Sequence, residues 1–252
     1  MKDNRIAVAI PCYNEAKFIG GLVHDVKEYT DIVVVVDDGS TDGTVEQAHK
    51  AGARPTRHEV NKGAGAATRT AFNYARRNII PRPQVLITMD GDLQHYAVDI
   101  PAIAQPILDG EADIVIGSRF ISGSWTNIKA YRKFGIDVIT WLINVGNEQK
   151  ITDSQSCFRA YSSRAFHELQ IGEDGFAFSV EILLQARQQH MVIKEVPIRC
   201  LYHSEGSTIS PIRHGLSVAW YIIKKRWITQ RDSTQGLCDN EKCKGEVCQK
   251  RF

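Results

Sequence analysis

The chain has no apolar run approaching the roughly 18 residues that a membrane-spanning helix needs, and it does not open on a charged segment followed by an apolar one, the mark of a secretory leader. Those absences predict a chain that stays in the cytoplasm. No Pro/Gly/Ser-rich linker divides the 252 residues, which predicts one domain rather than two. Cysteine is sparse and scattered: Cys12, Cys157, Cys200, Cys238, Cys243 and Cys248 fit reduced thiols better than a disulfide framework. The last three are evenly spaced but lack the close pairing and the four ligands usual for zinc. Two common phosphate-binding loops are missing, the Gly-x4-Gly-Lys-Ser/Thr loop and the Gly-x-Gly-x-x-Gly dinucleotide turn. A net charge of +2 is too small to argue for nucleic acid, and the positive excess lies in the tail from Lys224 onward.

What is present is organised around Val85-Leu86-Ile87-Thr88-Met89-Asp90-Gly91-Asp92-Leu93-Gln94-His95. An apolar, strand-like run stops on Asp90, and Asp92 follows with only Gly91 between. In an open α/β sheet the carboxyl ends of the strands face the ligand crevice, so both carboxylates reach one edge. Asp90, Asp92 and the amide oxygen of Gln94 are hard oxygen ligands that suit Mg²⁺ or Mn²⁺ carrying a substrate diphosphate. The same three letters also describe an ordinary solvated turn, since Asp and Gly are favoured there for backbone reasons.

In chain order, Ile6 to Ile10 reads as a strand buried on both faces, followed by a helix from Ala16 to Glu28. A β-branched strand, Ile32 to Val36, empties into the acidic loop Asp37 to Thr44, where Ser40, Thr41 and Asp42 are also plausible helix caps. A weak strand near Arg54 precedes Asn61-Lys62-Gly63-Ala64-Gly65, which opens a helix reaching Arg77. Small residues there admit a phosphate to Lys62 and the helix amides, or serve tight helix-on-sheet packing. A helix from Val98 to Leu108 and a strand from Asp113 to Ser118 complete an alternation that predicts a mostly parallel sheet with helices on both faces.

Five segments in this order resemble the successive motifs of the family 2 glycosyltransferases, most closely the dolichol-phosphate mannosyltransferase and polyprenyl-phosphate glycosyltransferase branch. They are Ile10-Pro11-Cys12-Tyr13-Asn14-Glu15, Val36 to Thr44, Asn61-Lys62-Gly63, Met89 to His95 and Gly117-Ser118-Arg119-Phe120. The resemblance covers roughly residues 5–200 and implies an α/β fold, a single GT-A, Rossmann-like domain. It implies that Pro11, Tyr13 and Glu15 hold the nucleotide, that Asp38 recognises it, and that Asp90, Gly91, Asp92 and Gln94 serve the metal and diphosphate. Arg119 and Arg132 are implied to receive the phosphate of a polyprenyl acceptor, a role suited to forked guanidinium donors. Thr152 to Arg159 resembles the family's Asp-Pro-Thr-Ser-Gly-Phe-Arg segment, with Ser154 for proline and Cys157 for glycine, which puts that loop's path in question while keeping Asp153.

The implied reaction is metal-assisted, inverting transfer of a hexose from a nucleotide sugar, of the GDP-mannose or UDP-glucose type, to a lipid phosphate. Such an acceptor is already anionic and needs no strong base; a soluble hydroxyl acceptor would need one, and Asp153 is the candidate. Tyr131 to Asn147 is amphipathic, with Phe134, Val138, Trp141, Leu142 and Val145 on one face. Such a helix packs on the core in most proteins, whereas the resemblance sets it on the membrane surface beside the acceptor. Glu181, on a helical pattern from Phe176 to Gln189, faces either the site or solvent. Arg199, Ser207 and Arg213 are further candidate phosphate contacts, although Ser207-Thr208 lacks the branch's Ser-Lys pair. The expected division is residues 1–212 as the transferase domain, 213–230 as a basic amphipathic helix and 231–252 as a polar tail without a fold. Any membrane contact is then peripheral or supplied by a membrane-anchored partner subunit. Two rivals are a phosphatase, disfavoured because its Asp-x-Asp-x-Thr/Val motif is expected near the start of the chain, and a non-catalytic nucleotide-sugar-binding module.

Overall fold

The computed structural model describes residues 2–202 and Tyr221. The strands are β1 (Ile6–Cys12), β2 (Ile32–Asp37), β3 (Arg54–Arg57), β4 (Val85–Thr88), β5 (Ile114–Ser118), β6 (Trp125–Thr126), β7 (Arg159–Ser162), β8 (Ile193–Pro197) and β9 (Arg199–Cys200). Seven of them form one sheet in the order β3-β2-β1-β4-β7-β5-β8, and β6 pairs with β9 alone. All neighbours in the large sheet are parallel except β7, which runs antiparallel to both β4 and β5. The helices are α1 (Ala16–Val26), α2 (Thr44–Lys50), α3 (Ala64–Asn78), α4 (Ile100–Leu108), α5 (Ala130–Asn144), α6 (Ser163–Glu168) and α7 (Phe178–Gln188).

Alternate residues of the central strands feed two cores, one on each face. Ala7, Val34, Val36 and Leu86 pack with Phe72 of α3, Ile139 of α5 and Leu183 of α7. Val8, Ile10, Val33, Val35 and Ile87 pack with Ile19, Leu22 and Val23 of α1 and Ile103 of α4. Both faces of the sheet are thus covered, which explains why its strands read as continuous apolar runs. The expected single α/β domain with a mostly parallel sheet is what forms. Proline 197 lies on β8, the edge strand, where a missing N–H is tolerated.

Because β7 is antiparallel, it begins where its neighbours end: Arg159 pairs with Thr88 of β4 and with Ile116 of β5. The loop before it, carrying Asp153, is thereby delivered to the same edge as the loops that follow β1, β2, β4 and β5. No pattern in the sequence marks Arg159–Ser162 as a strand, so its insertion here is not expected from the motifs. The short helix α6 also carried no period; it is started by Ser162, whose hydroxyl accepts from the Ala165 amide at 3.1 Å.

At the start of α3 the small residues serve packing. A methyl group on Gly65 would lie 2.0 Å from the Glu173 carbonyl oxygen and 2.9 Å from that of Gly175. Gly65→Ala is therefore expected to cost about 1–3 kcal/mol and to lower the thermal midpoint by several degrees. Gly135→Ala on α5, where a methyl meets nothing within 4 Å, should leave the midpoint unchanged or raise it, and paired melting curves check both.

Candidate active site

The loops after β1 and β2 are stitched together at the carboxyl edge. Ser40 Oγ accepts from the Asn14 amide at 2.8 Å, Thr44 Oγ1 from Glu15 at 2.9 Å and Asp42 Oδ2 from Ala16 at 3.0 Å. Tyr13 stands exposed at this rim while Pro11 and Glu15 are half-buried. Asp37 is buried, accepting from the Ser40 amide at 3.1 Å and facing Arg57 at 3.3 Å. Asp38 is also buried, and its oxygens accept from the amides of Lys62 at 2.9 Å and Gly63 at 2.7 Å, with His58 Nδ1 2.7 Å away. Asp38 thus shapes the loop that carries the exposed Lys62. His58, which no sequence signal singled out, is held between Asp38 and Thr70.

Two amides of the first turn of α3 are taken up by the protein itself. Gly65 and Ala66 donate to the Asp174 carbonyl at 2.7 and 3.3 Å, which weakens the helix terminus as a phosphate site and leaves the exposed Lys62 as its main feature.

After β4 the chain turns through Asp90, Gly91, Asp92 and Leu93, the last with φ of 58°. A methyl on Gly91 would stand 2.9 Å from Cys12 Cβ and 3.6 Å from Glu15 Cγ, so this turn lies directly against the β1 loop. Asp92 accepts from the Gln94 amide at 3.1 Å and from the Gln94 side-chain nitrogen. Gln94 therefore braces Asp92, with its carboxamide nitrogen toward the carboxylate. Burial and the neighbouring Asp92 push Asp90 above the usual carboxylate range, and burial, then Asp92 and Asp90, push Glu15 up to about 7. Three carboxylates crowded at one mouth are costly without a cation, and two of them with substrate phosphates match how Mg²⁺ is held. Among the described residues no preformed cage of three or more His, Cys, Asp or Glu side chains exists; a donor set completed by substrate needs none. His95 is buried, with its ring tilted against Phe158 at 5.2 Å between centroids; burial lowers it to about 3, so it is neutral.

Arg119 follows β5 and is almost wholly enclosed. Its Nε and Nη2 each donate to Asp153 at 2.6 Å, and its backbone amide does so at 3.1 Å. Asp153 has 0% exposure and also accepts from the Gln155 and Ser156 amides at 3.3 and 3.1 Å. Burial alone would raise Asp153, but the Arg119 charge and these donors hold it below the usual carboxylate range. A carboxylate so committed is a poor base, and the geometry gives it a different task from the one expected for a hydroxyl acceptor: fixing Arg119. Arg119 Nη1 donates to the Tyr202 hydroxyl, and the Arg132 guanidinium lies over the Tyr202 ring at 5.7 Å. The fold thus gathers Arg119 and Arg132 around Tyr202, a residue that in the sequence only begins a polar loop.

The two departures in the 152–159 segment are accommodated locally. Ser154 in place of proline exchanges a hydroxyl bond with Thr140 of α5 at 2.8 Å. Cys157 lies beside Asp90, and burial keeps its thiol protonated; Cys12, Cys157 and Cys200 are all free thiols. Arg159 is enclosed, donating to the Ser179 and Ser154 carbonyls at 2.9 and 2.7 Å. Glu195 of β8 accepts from the Thr152 and Asp153 amides. Glu181 faces neither site nor solvent; it is buried, accepting from the Gly172 and Glu173 amides at 2.9 Å each. Arg199 pairs loosely with Asp99 at 3.7 Å and covers the Tyr96 ring.

Helix α5 turns Thr140 and Asn144 of its polar face inward while Asp137 stays exposed. Thr140 grips Ser154, and Asn144 bonds both the carbonyl and the amide of Ile151, at 2.7 and 3.1 Å. Ile139 and Ile143 are buried beside them, with Leu142 half-buried on the core. Outward go Tyr131, Phe134, Val138, Trp141 and Val145, with Phe134 70% and Trp141 64% exposed. The aromatic stripe, expected on the core in most amphipathic helices, is therefore on the outside. Beside this stripe lie two grooves of about 580 and 440 Å³ that share Phe120 and Lys133; one reaches Trp141 and Thr152, the other Arg119, Ile121 and Trp125. Among the described residues no helix is long and apolar enough to cross a membrane. Ser207, Arg213, the end of the 1–212 unit, the remaining segments and Cys238, Cys243 and Cys248 lie outside the described residues, except Tyr221, which is buried against the core.

The glycosyl transferase family 2 model matches residues 7–170. The chain is 31% identical over 226 residues to the UDP-N-acetylglucosamine–dolichyl-phosphate N-acetylglucosaminyltransferase of Methanococcus voltae, covering 80% of this chain and 88% of that protein. It is 30% identical over 211 residues to the polyprenol monophosphomannose synthase of Mycolicibacterium smegmatis, covering 77% of this chain and 76% of that protein. In structure it resembles glucosyl-3-phosphoglycerate synthase of Mycobacterium tuberculosis in complex with Mn²⁺, UDP and phosphoglyceric acid. That likeness has a TM-score of 0.65 at 19% identity and spans 86% of this chain and 75% of that one.

Proposed function

This chain belongs to glycosyl transferase family 2 and is an enzyme of the GT-A fold, and we propose that it moves a hexose from a nucleotide sugar to a polyprenyl or dolichyl phosphate at the cytoplasmic face of a membrane. The observation that carries this reading is the adjacency of Arg119 and Arg132 to an exposed apolar helix face: two cationic groups suited to a phosphate stand beside a surface suited to a lipid chain. Relatives named for transfer to dolichyl phosphate and for polyprenol monophosphomannose synthesis support the acceptor class.

On the donor side, Pro11, Tyr13 and Glu15 line the nucleotide's place, Asp38 holds the loop of Lys62, and Lys62 meets the diphosphate. Asp90 and Asp92 would hold Mg²⁺ or Mn²⁺, with Gln94 bracing Asp92, and the bound ion supplies positive charge for the departing diphosphate. On the acceptor side, Asp153 fixes Arg119 so that, with Arg132, it orients the lipid phosphate for attack at the anomeric carbon, inverting it. The phosphate oxygen is already anionic, so no side chain has to remove a proton. A hydroxyl acceptor finds no comparable support, because the oxygens of Asp153 are spent on Arg119 and on loop amides.

The test is to incubate the protein and Mn²⁺ with labelled nucleotide sugars, with and without a polyprenyl phosphate in detergent, and follow label into the organic phase. Label there establishes the acceptor and names the donor; donor hydrolysis without such transfer overturns the lipid-phosphate reading. A second measurement addresses the membrane. Replacing Phe134 and Trp141 together by Glu should lower co-sedimentation with vesicles of anionic phospholipid tenfold or more, since each side chain is worth about 2–3 kcal/mol when buried in apolar surroundings. The thermal midpoint should hardly move, both positions being exposed.

A further inference from the structure

The Arg119 guanidinium reaches Asp153 through Nε and Nη2. Nη1 is the nitrogen that makes no bond to Asp153, and it donates to the Tyr202 hydroxyl. That bond uses a lone pair of the phenol oxygen, so the phenol's own proton stays available. Tyr202 is half-buried, and its ring lies under the second arginine, Arg132, at 5.7 Å. Its backbone is clamped by Asn127, which accepts from the Tyr202 amide at 2.7 Å and donates to its carbonyl at 3.0 Å. The preceding residue, Leu201, donates to the Gln94 carbonyl at 2.9 Å, and Gln94 is the residue that braces Asp92. Tyr202 is therefore tied to the donor-side carboxylates through its backbone and to the acceptor-side arginines through its side chain.

Resting on the lipid-phosphate reading above, we propose that the Tyr202 hydroxyl is a third ligand of the acceptor phosphate, accepting from Arg119 and donating its own proton to a phosphate oxygen between the two arginines. A hydroxyl that accepts from a cation is polarised into a stronger donor, and a hydrogen bond to a charged oxygen is stronger than a neutral one. Burial pushes the phenol well above its ordinary range, so it keeps the proton it donates. The ring contact with Arg132 adds orientation: a guanidinium held over an aromatic face is fixed in the plane from which it meets the same phosphate.

The experiment compares Tyr202→Phe with the unaltered protein, using polyprenyl phosphate in detergent, Mn²⁺ and the donor identified by the panel. The ring and its Arg132 contact are kept, so the variant folds, and melting curves verify it. The acceptor KM should rise about tenfold, the scale of one hydrogen bond to a charged group, while the donor KM stays put. Tyr202→Ala, which also removes the ring under Arg132, should raise the acceptor KM further. An unchanged acceptor KM in Tyr202→Phe, or donor and acceptor KM rising together with a lowered melting point, overturns the proposal in favour of a packing role. Failure of the unaltered protein to use polyprenyl phosphate at all overturns the underlying acceptor reading instead.

Discussion

Asp92→Asn is expected to lose about a thousandfold in transfer rate at saturating Mn²⁺ while remaining folded. The carboxylate accepts from the amide and the side-chain nitrogen of Gln94, and an asparagine oxygen can keep one of those bonds, so the turn survives. What disappears is a negative charge aimed at the cation that would carry the departing diphosphate. Losing a group that stabilises charge in the transition state costs about 10²–10³ in rate, and weaker cation binding adds to that. Single-turnover rates measured over a Mn²⁺ titration, alongside circular dichroism, decide it. Gln94→Ala acts through Asp92 and should be milder, by about an order of magnitude. Retention of a tenth of the rate in Asp92→Asn would remove Asp92 from the centre of the reaction. Chelation by EDTA should abolish transfer, and Mn²⁺ should restore it.

Asp153→Asn is expected to be damaging for another reason. Asp153 is fully enclosed and is the counter-charge of an Arg119 that is 8% exposed. Removing one partner of such a pair leaves a buried charge uncompensated, which costs about 3–5 kcal/mol. The pH dependence follows with a definite sign. The folded protein holds Asp153 below its unfolded value, near 3.8. The stabilisation it contributes is fully present above that value and is lost as pH falls through the lower, folded one. Melting curves should show the unaltered protein dropping steeply below about pH 4, and Asp153→Asn starting lower with a flatter acid limb. Loss of Arg119 alignment should also raise the acceptor KM. A catalytic base would behave otherwise: the melting point would hold while the rate collapsed, and that outcome would revive a hydroxyl acceptor.

Much of this enzyme was legible in one dimension because the relevant physics is local. Continuous β-branched runs mark strands buried on both faces, and the period of 3.6 marks the helices over them, so the alternation behind the sheet needed no coordinates. Asp90, Asp92 and Arg119 were legible for a related reason: each stands where a buried strand stops, and parallel strands all stop at one edge. The acidic turn after β2 was readable as a motif, but not the division of labour in which Asp38 spends its oxygens on the amides of Lys62 and Gly63.

The rest depended on which distant segments meet. Inserting β7 antiparallel between β4 and β5 brings Asp153 onto Arg119 across 34 residues, and the Arg119–Tyr202 bond spans 83. Strand order is a collective property of the whole sheet, and no local pattern at Arg159–Ser162 announces it. Helix α5 shows the same limit differently. It carries apolar residues on two opposite sides, Ile139 and Ile143 against Phe134 and Trp141, and hydrophobicity alone does not rank them. The inward side was decided by Thr140 and Asn144, which have partners in the 151–154 loop and so can be buried without cost to their polar groups. The larger aromatic stripe was left outside because the polar contacts that fix the helix lie opposite to it.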